Sequence, residues 1–213
     1  MEILLYREWE TRIYVQNLAL TFYGVSFLGW CWEVFYAFAG GGGFVNRGVL
    51  TGPWLPIYGV GGLLLLICLQ AIKRRPWLCF PAACLLLGAL EYGTGWLLET
   101  CFHLRYWDYS GCFGNLHGRV CLASLMAFGT GGMLFLYLLW PMLARRLFSL
   151  PDNIRQGLTI LLTVLFLMDL VWSLSHPNHG AGIADQVSSS VGSCYGKLPE
   201  FVTEPLTNLR FLL

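Results

Sequence analysis

The chain has 213 residues, of which 56% are hydrophobic and only 12% charged, with a formal net charge of +1 and a mean hydropathy of +0.60. Soluble domains carry about 25% charged residues, so this composition excludes an ordinary soluble domain. The near-zero net charge excludes a basic face for nucleic acid. The class it implies is an all-α, polytopic transmembrane bundle of about five helices, with the lipid bilayer as its first partner.

The first twelve residues, MEILLYREWETR, carry five charges and no small-residue cleavage site, so the first helix is expected to be retained. Apolar spans are expected at about 15–38, 55–72, 77–101, 119–143 and 156–175. Two uncharged stretches of 25 residues, between Arg47 and Lys73 and between Arg119 and Arg145, exceed the roughly 20 residues that a crossing helix needs. Unpaired backbone amides are not tolerated in lipid, which predicts helices rather than open strands. The alternation of a transmembrane barrel is missing. Trp54, Trp77, Trp107, Trp140 and Trp172 fall at the expected span ends, as in an aromatic belt. The organisation predicted is an N-terminal segment over 1–14, a membrane domain over 15–175 and a C-terminal tail over 176–213.

Basic residues set the expected orientation. Arg7, Arg12, Lys73, Arg74, Arg75, Arg145, Arg146 and Arg155 lie on the side of the N-terminus, eight against the five of Arg47, Arg105, Arg119, Lys197 and Arg210. The excess predicts a multi-pass protein of the cell membrane with a cytoplasmic N-terminus and an extracytoplasmic tail.

An internal repeat is visible. GWCWE at 29–33 matches GWLLE at 95–99, and FVNRG at 44–48 is echoed by FGNLHGR at 113–119. Gly61-Gly62 is echoed by Gly131-Gly132. The offset is 66 residues at the glutamate and 69 at the asparagine. Spans 1–2 and 3–4 then read as two parallel copies of one helix–loop–helix unit, related by an axis along the membrane normal. The alternative is that both loops merely share a Gly-rich, aromatic composition.

Charge inside a membrane is costly, so each instance calls for a reason. Glu33, Glu91, Glu99 and Asp169 are those instances. With Arg47, Arg105 and Arg119 at the same outer level, they predict a polar basin walled by the first, third and fifth spans. The bland reading pairs Glu33 with Arg47, or Asp108 with Arg119, to hold the loops down. The loop at 40–54, with four glycines at 40–43 and Pro53 behind them, reads either as a segment dipping into the basin or as a flexible turn.

Eight cysteines, at 31, 68, 79, 84, 101, 112, 121 and 194, form no CxxC pair, and most read as small buried hydrophobes. A Cys101–Cys112 bridge is left open. His103, His117, His176 and His179 fall on the outer side with several carboxylates, but without HxxxH or HExxH spacing, so neither metal nor cofactor is called for. GxSxG is missing, which argues against a serine hydrolase.

FVNRGVLTGPWLPIYGVG, EYGTGWLLE, WDYSGCFGNLHGRVCLASL and HPNHGAGI together resemble the family called putative ABC-transporter type IV, over about residues 20–185. The resemblance implies a permease-like integral membrane protein of bacteria, with recurrent polar positions at Glu33, Asn46, Arg47, Glu91, Glu99, Asp108, Asn115 and Arg119. These are the candidate substrate-binding residues. With no Walker A motif in the chain, an ATPase would be a separate subunit. Three functions compete. The first is a permease component moving or capturing a polar solute. The second is an intramembrane enzyme acting on a lipid-linked or headgroup substrate, with Glu or Asp as general base and Arg47 and Arg119 holding an anionic group. The third is an accessory protein whose polar cluster is structural.

The orientation is testable in a cysteine-free background. A membrane-impermeant thiol reagent added outside is expected to modify Ser110→Cys and to spare Arg74→Cys; the opposite pattern inverts the topology.

Overall fold

The computed structural model describes residues 10–39, 44, 46, 48–102 and 105–176, and the backbone alone of 2–9. Arg47, His103, His179, Cys194 and the tail beyond His176 lie outside the described residues. Five helices follow one another: α1 (Glu2–Ala39), α2 (Pro56–Cys68), α3 (Pro76–Phe102), α4 (Leu122–Phe148) and α5 (Asp152–Ser175). Among the described residues there is no strand, only an isolated bridge between Leu116 and Val120.

Prolines set most of the starts. Pro56 and Pro76 open α2 and α3, where a missing amide proton costs nothing, and Pro151 sits at the N-cap of α5. At α4 a capping box does the work: the Cys121 sulfur accepts from the Ser124 amide and the Ser124 hydroxyl from the Cys121 amide. Inside α4, residues Phe135–Leu139 widen into a π-turn just before Pro141, where the Trp140 amide bonds back to the Phe135 carbonyl. A proline cannot donate to the ladder, and a single π-turn is a usual way to absorb the fault.

Four helices are long and apolar enough to cross a membrane: 10–39 of α1, 76–101 of α3, all of α4 and all of α5. The expected second span, 55–72, is corrected. Its helix has 13 residues, a rise of about 20 Å, less than the hydrocarbon thickness of about 30 Å. The uncharged stretch is longer than the helix because it also includes irregular backbone over 48–55 and the turn over 69–72. The helix expected over 119–143 starts and ends later, at Leu122 and Phe148, because 119–121 belong to the preceding loop. Trp54, expected in an aromatic belt, is buried at 9% exposure, whereas Trp77 and Trp172 are exposed.

Two antiparallel pairs, α1 with α2 and α3 with α4, make up the bundle. Leu65, Leu66 and Leu69 of α2 and the turn after it pack with Cys79, Ala83, Phe135 and Leu136 as the core that joins the pairs. α5 lies on α1, where Phe166 meets Phe22 and Trp54 edge-on and Tyr23 at a tilt. Most of α5 is exposed apolar surface, as a lipid-facing helix requires.

Glycine sets the approach of α1 and α2. A Cβ on Gly59 would fall 2.3 Å from Ser26 Oγ and 2.7 Å from the Phe22 carbonyl oxygen. Gly59→Ala is therefore expected to destabilise the protein by about 1–3 kcal/mol through overpacking. Gly93→Ala, at an open position, should be neutral or slightly stabilising. Thermal midpoints in detergent compare the two.

Candidate functional site

Both inter-helix loops run alongside helices rather than beyond them. The Leu55 amide bonds to the Ser26 carbonyl at 3.1 Å, and α1 continues for 13 residues past Ser26, to Ala39, about 20 Å. The described part of the first loop, 48–55, therefore runs back alongside α1, while the four glycines at 40–43 lie outside the described residues. The backbone of 48–55 finds side-chain partners. Asn46 donates to the Leu50 and Thr51 carbonyls at 3.1 and 3.0 Å and accepts from the Trp30 indole at 3.0 Å and the Gly48 amide at 3.3 Å. From α5, Ser173 accepts the Thr51 amide at 2.9 Å and Asp169 accepts the Gly52 amide at 3.0 Å.

The second loop follows the same logic. Asn115 donates to the Ser110 and Cys112 carbonyls, both at 3.0 Å, and accepts from the Gly118 amide at 3.2 Å. Gly118 has φ +67, and a Cβ there would fall 2.6 Å from Asp108 Oδ1, so both conformation and space require glycine. The Tyr109 amide bonds to the Gly118 carbonyl at 2.8 Å, which fixes where Tyr109 starts. Glu99 receives two arginines: Arg119 Nε at 2.8 Å on Oε2, with its NH2 on the same oxygen, and Arg105 Nε at 3.0 Å on Oε1. Arg105 also pairs with Asp108 at 3.2 Å. Arg119 lies over the Tyr92 ring, 5.4 Å from its centroid, and Tyr92 meets His117 Nδ1 at 3.0 Å. Two acids and two bases thus form a neutral rim, and three of them, Glu99, Arg105 and Arg119, line a small open depression beside Gly95 and Trp107.

Beneath this rim each helix pair carries a polar contact of its own, and the two lie close together. Ser124 of α4 donates to Glu91 of α3 at 2.9 Å. The Tyr109 phenol turns toward Glu91 and lies within electrostatic reach of Glu33. Tyr58 of α2 donates to Glu33 of α1 at 2.6 Å and packs edge-on against Phe128 of α4, with centroids 6.4 Å apart. Burial first, and the carboxylates around it second, push the Tyr109 phenol above its ordinary range, so it stays a protonated donor at any physiological pH.

The eight candidate residues therefore divide. Glu91 meets Ser124 and Tyr109, and Glu33 meets Tyr58 within electrostatic range of Tyr109. Glu99, Asp108 and Arg119 form the rim with Arg105. Asn46 and Asn115 pin their own loops, and Arg47 lies outside the described residues. Asp169 does not join the carboxylates of α1 and α3; it holds the first loop from the α5 side. Asp108 is paired with Arg105, and Arg119 with Glu99, rather than with each other. Cys101 and Cys112 are free thiols. Among the described residues no group of three or more potential metal ligands converges. Tyr58, Tyr92, Tyr109 and Ser124 were not singled out from sequence, although all four lie within the quoted motifs.

Against models of known families, residues 20–174 match the one described as putative ABC-transporter type IV. The chain belongs to that family. The match spans α1 from Leu20 through almost all of α5, so α2, α3, α4 and both loops lie inside the matched range. No curated protein and no solved structure matches the chain. Membership in the putative ABC-transporter type IV family agrees with a multi-pass membrane protein whose described helices carry no nucleotide-binding fold.

Burial opposes the charge of Asp108, but the Ser110 hydroxyl and amide and then Arg105 outweigh it and hold the carboxyl below its ordinary range. A folded value below the unfolded one means that the contribution is complete at neutral pH and is lost as pH falls through the carboxylate range, about 4 and below. The protection of the amides over 108–118, taken relative to their intrinsic exchange rate at each pH, is expected to fall in that acid window in the wild type, while in Asp108→Asn it should be low already at neutral pH and respond little to acid.

Proposed function

We propose that the chain is the membrane-embedded component of a transporter of the bacterial cell membrane, capturing or passing a polar solute at the contact between its two helix pairs. One observation carries this reading. Ser124, Glu91 and Tyr109 on one pair face Glu33 and Tyr58 on the other within electrostatic range, and Tyr58 packs against Phe128 across the contact between the pairs. Transporters built from repeats place their sites at such contacts.

The duplication read from GWCWE and GWLLE finds support in the packing. The contact of Phe22 with Gly59 recurs as Gly88 with Leu125, each position displaced by 66 residues with the large and small partners exchanged. The helix caps Leu55 and Cys121 and the glutamates Glu33 and Glu99 keep the same displacement. On this reading the two pairs move against each other about this polar cluster. An ATPase, if one drives the motion, is a separate chain that meets the end carrying Arg74, Arg75, Arg145 and Arg146.

The solute is expected to be neutral or cationic rather than anionic. Arg105 and Arg119 are already engaged by Glu99 and Asp108, which leaves, among the described residues of the site, carboxylates and hydroxyls to face a ligand. The same engagement argues against an enzyme that grips a lipid phosphate with Arg119.

The test compares the small-molecule content of cells expressing wild type, Tyr109→Phe and Glu33→Gln at matched membrane levels. A class of polar solutes should shift with the wild type. Tyr109→Phe, which removes one hydroxyl, should reduce that shift by up to about tenfold. A change confined to lipid headgroups would support the enzyme instead, and no change in either would make the cluster structural.

A further inference from the structure

Glu91 is the most deeply buried acid among the described residues, 3% exposed, and it lies 11 residues inside the end of α3 at Phe102. Its described partners are hydroxyls alone, Ser124 and Tyr109. The titratable groups around it are the Cys121 thiol at the cap of α4, the Tyr109 phenol from the loop, and beyond that phenol Glu33 with its donor Tyr58. On the outer turns of α3, Glu99 and Tyr92 are occupied by Arg119, and Arg105 by Glu99 and Asp108. Among the described residues no cation is set against Glu91.

A carboxylate buried without a counter-charge is strongly disfavoured, and such a group takes up a proton instead. Ser124 is placed to serve both forms. Its oxygen accepts from the Cys121 amide at 3.1 Å, and the Cys121 carbonyl stands 3.1 Å away as a second acceptor for its proton. Facing an ionised Glu91, the Ser124 hydroxyl donates to it. Facing a neutral Glu91, it rotates to donate to the Cys121 carbonyl and offers its remaining lone pair to the glutamic acid proton. Neither state leaves a buried polar atom unmatched.

We propose that Glu91 is a proton-binding site within the bundle. It holds the neutral carboxylic acid while Tyr109 covers it, and exchanges that proton with outer water when the loop over 105–121 lifts. The proposal deepens the transport reading, on which it rests for its purpose: the proton becomes the coupling ion for movement of the solute. Protonation itself needs no solute, so it can be measured apart from transport.

Infrared spectra of the full chain in lipid nanodiscs test it, with wild type compared with Glu91→Gln at neutral pH and through an alkaline titration. The wild type should show a carboxylic-acid carbonyl band at neutral pH that fades in alkali and is lost in Glu91→Gln, whose amide can keep both hydroxyl contacts. Glu33→Gln should leave the band in place. A neutral-pH spectrum with no band lost in Glu91→Gln would overturn the proposal. If Glu91→Gln does not fold, Tyr109→Phe and Ser124→Ala decide: each removes a hydroxyl at the acid and must displace the band, and a band unmoved by both belongs to another carboxyl and equally overturns it. Absence of any solute shift in cells would count against the transport reading while leaving the band unaffected.

Discussion

Irregular backbone placed between apolar helices must find every hydrogen-bond partner within the protein, because lipid supplies none. The arrangement of this bundle follows from that requirement. The stretch 48–55 gives its amides to Ser173, Asp169 and Ser26, and its carbonyls to Asn46. The stretch 105–121 closes on Asn115 and on the Gly118 carbonyl, with the Arg119–Glu99 pair drawing it onto α3. Two asparagines, one per loop, do the same work with the same atoms: the amide nitrogen donates to two carbonyls and the amide oxygen accepts a glycine N–H. Such pinning allows α2 to be short, since the descent alongside α1 is completed by ordered coil.

The same requirement separates structural polar residues from those that remain for function. Asn46, Asn115, Asp169 and Ser173 are consumed by backbone. Glu99, Asp108, Arg105 and Arg119 neutralise one another at the rim. Glu33, Glu91, Tyr58, Tyr109 and Ser124 sit instead where the two helix pairs meet, and side chains rather than loop backbone define their contacts. A protein of the putative ABC-transporter type IV family that moves its halves against each other would change this cluster first.

Much of this architecture was legible in the sequence. Charge-free stretches located the apolar helices, and the repeated GWxxE motifs marked the C-terminal parts of α1 and α3. The short α2 was not legible, because hydropathy cannot distinguish an apolar coil from an apolar helix, and VLTGPWLP differs from the helix after it mainly in Gly52 and Pro53. Asp169 was grouped with the other carboxylates by depth alone; hydropathy fixes depth along a helix, but which neighbour a side chain meets is set by tertiary packing. Tyr58 and Tyr109 passed as ordinary aromatic residues, since nothing in a tyrosine's local sequence reveals whether its hydroxyl meets a buried carboxylate. The rim pairing was half legible: the residues were the expected ones, but the partners exchanged, because the turn at His117 and Gly118, both with positive φ, directs Arg119 back to α3.

The most direct measurement is hydrogen exchange of the segment 48–55 in lipid nanodiscs. If side chains of α1 and α5 hold this coil inside the bundle, its amides should exchange about as slowly as those of a helix. Asp169→Ala should then speed the segment selectively while the α3–α4 pair stays protected. Exchange in the wild type as fast as that of an exposed loop, or a segment indifferent to Asp169→Ala, would contradict the account.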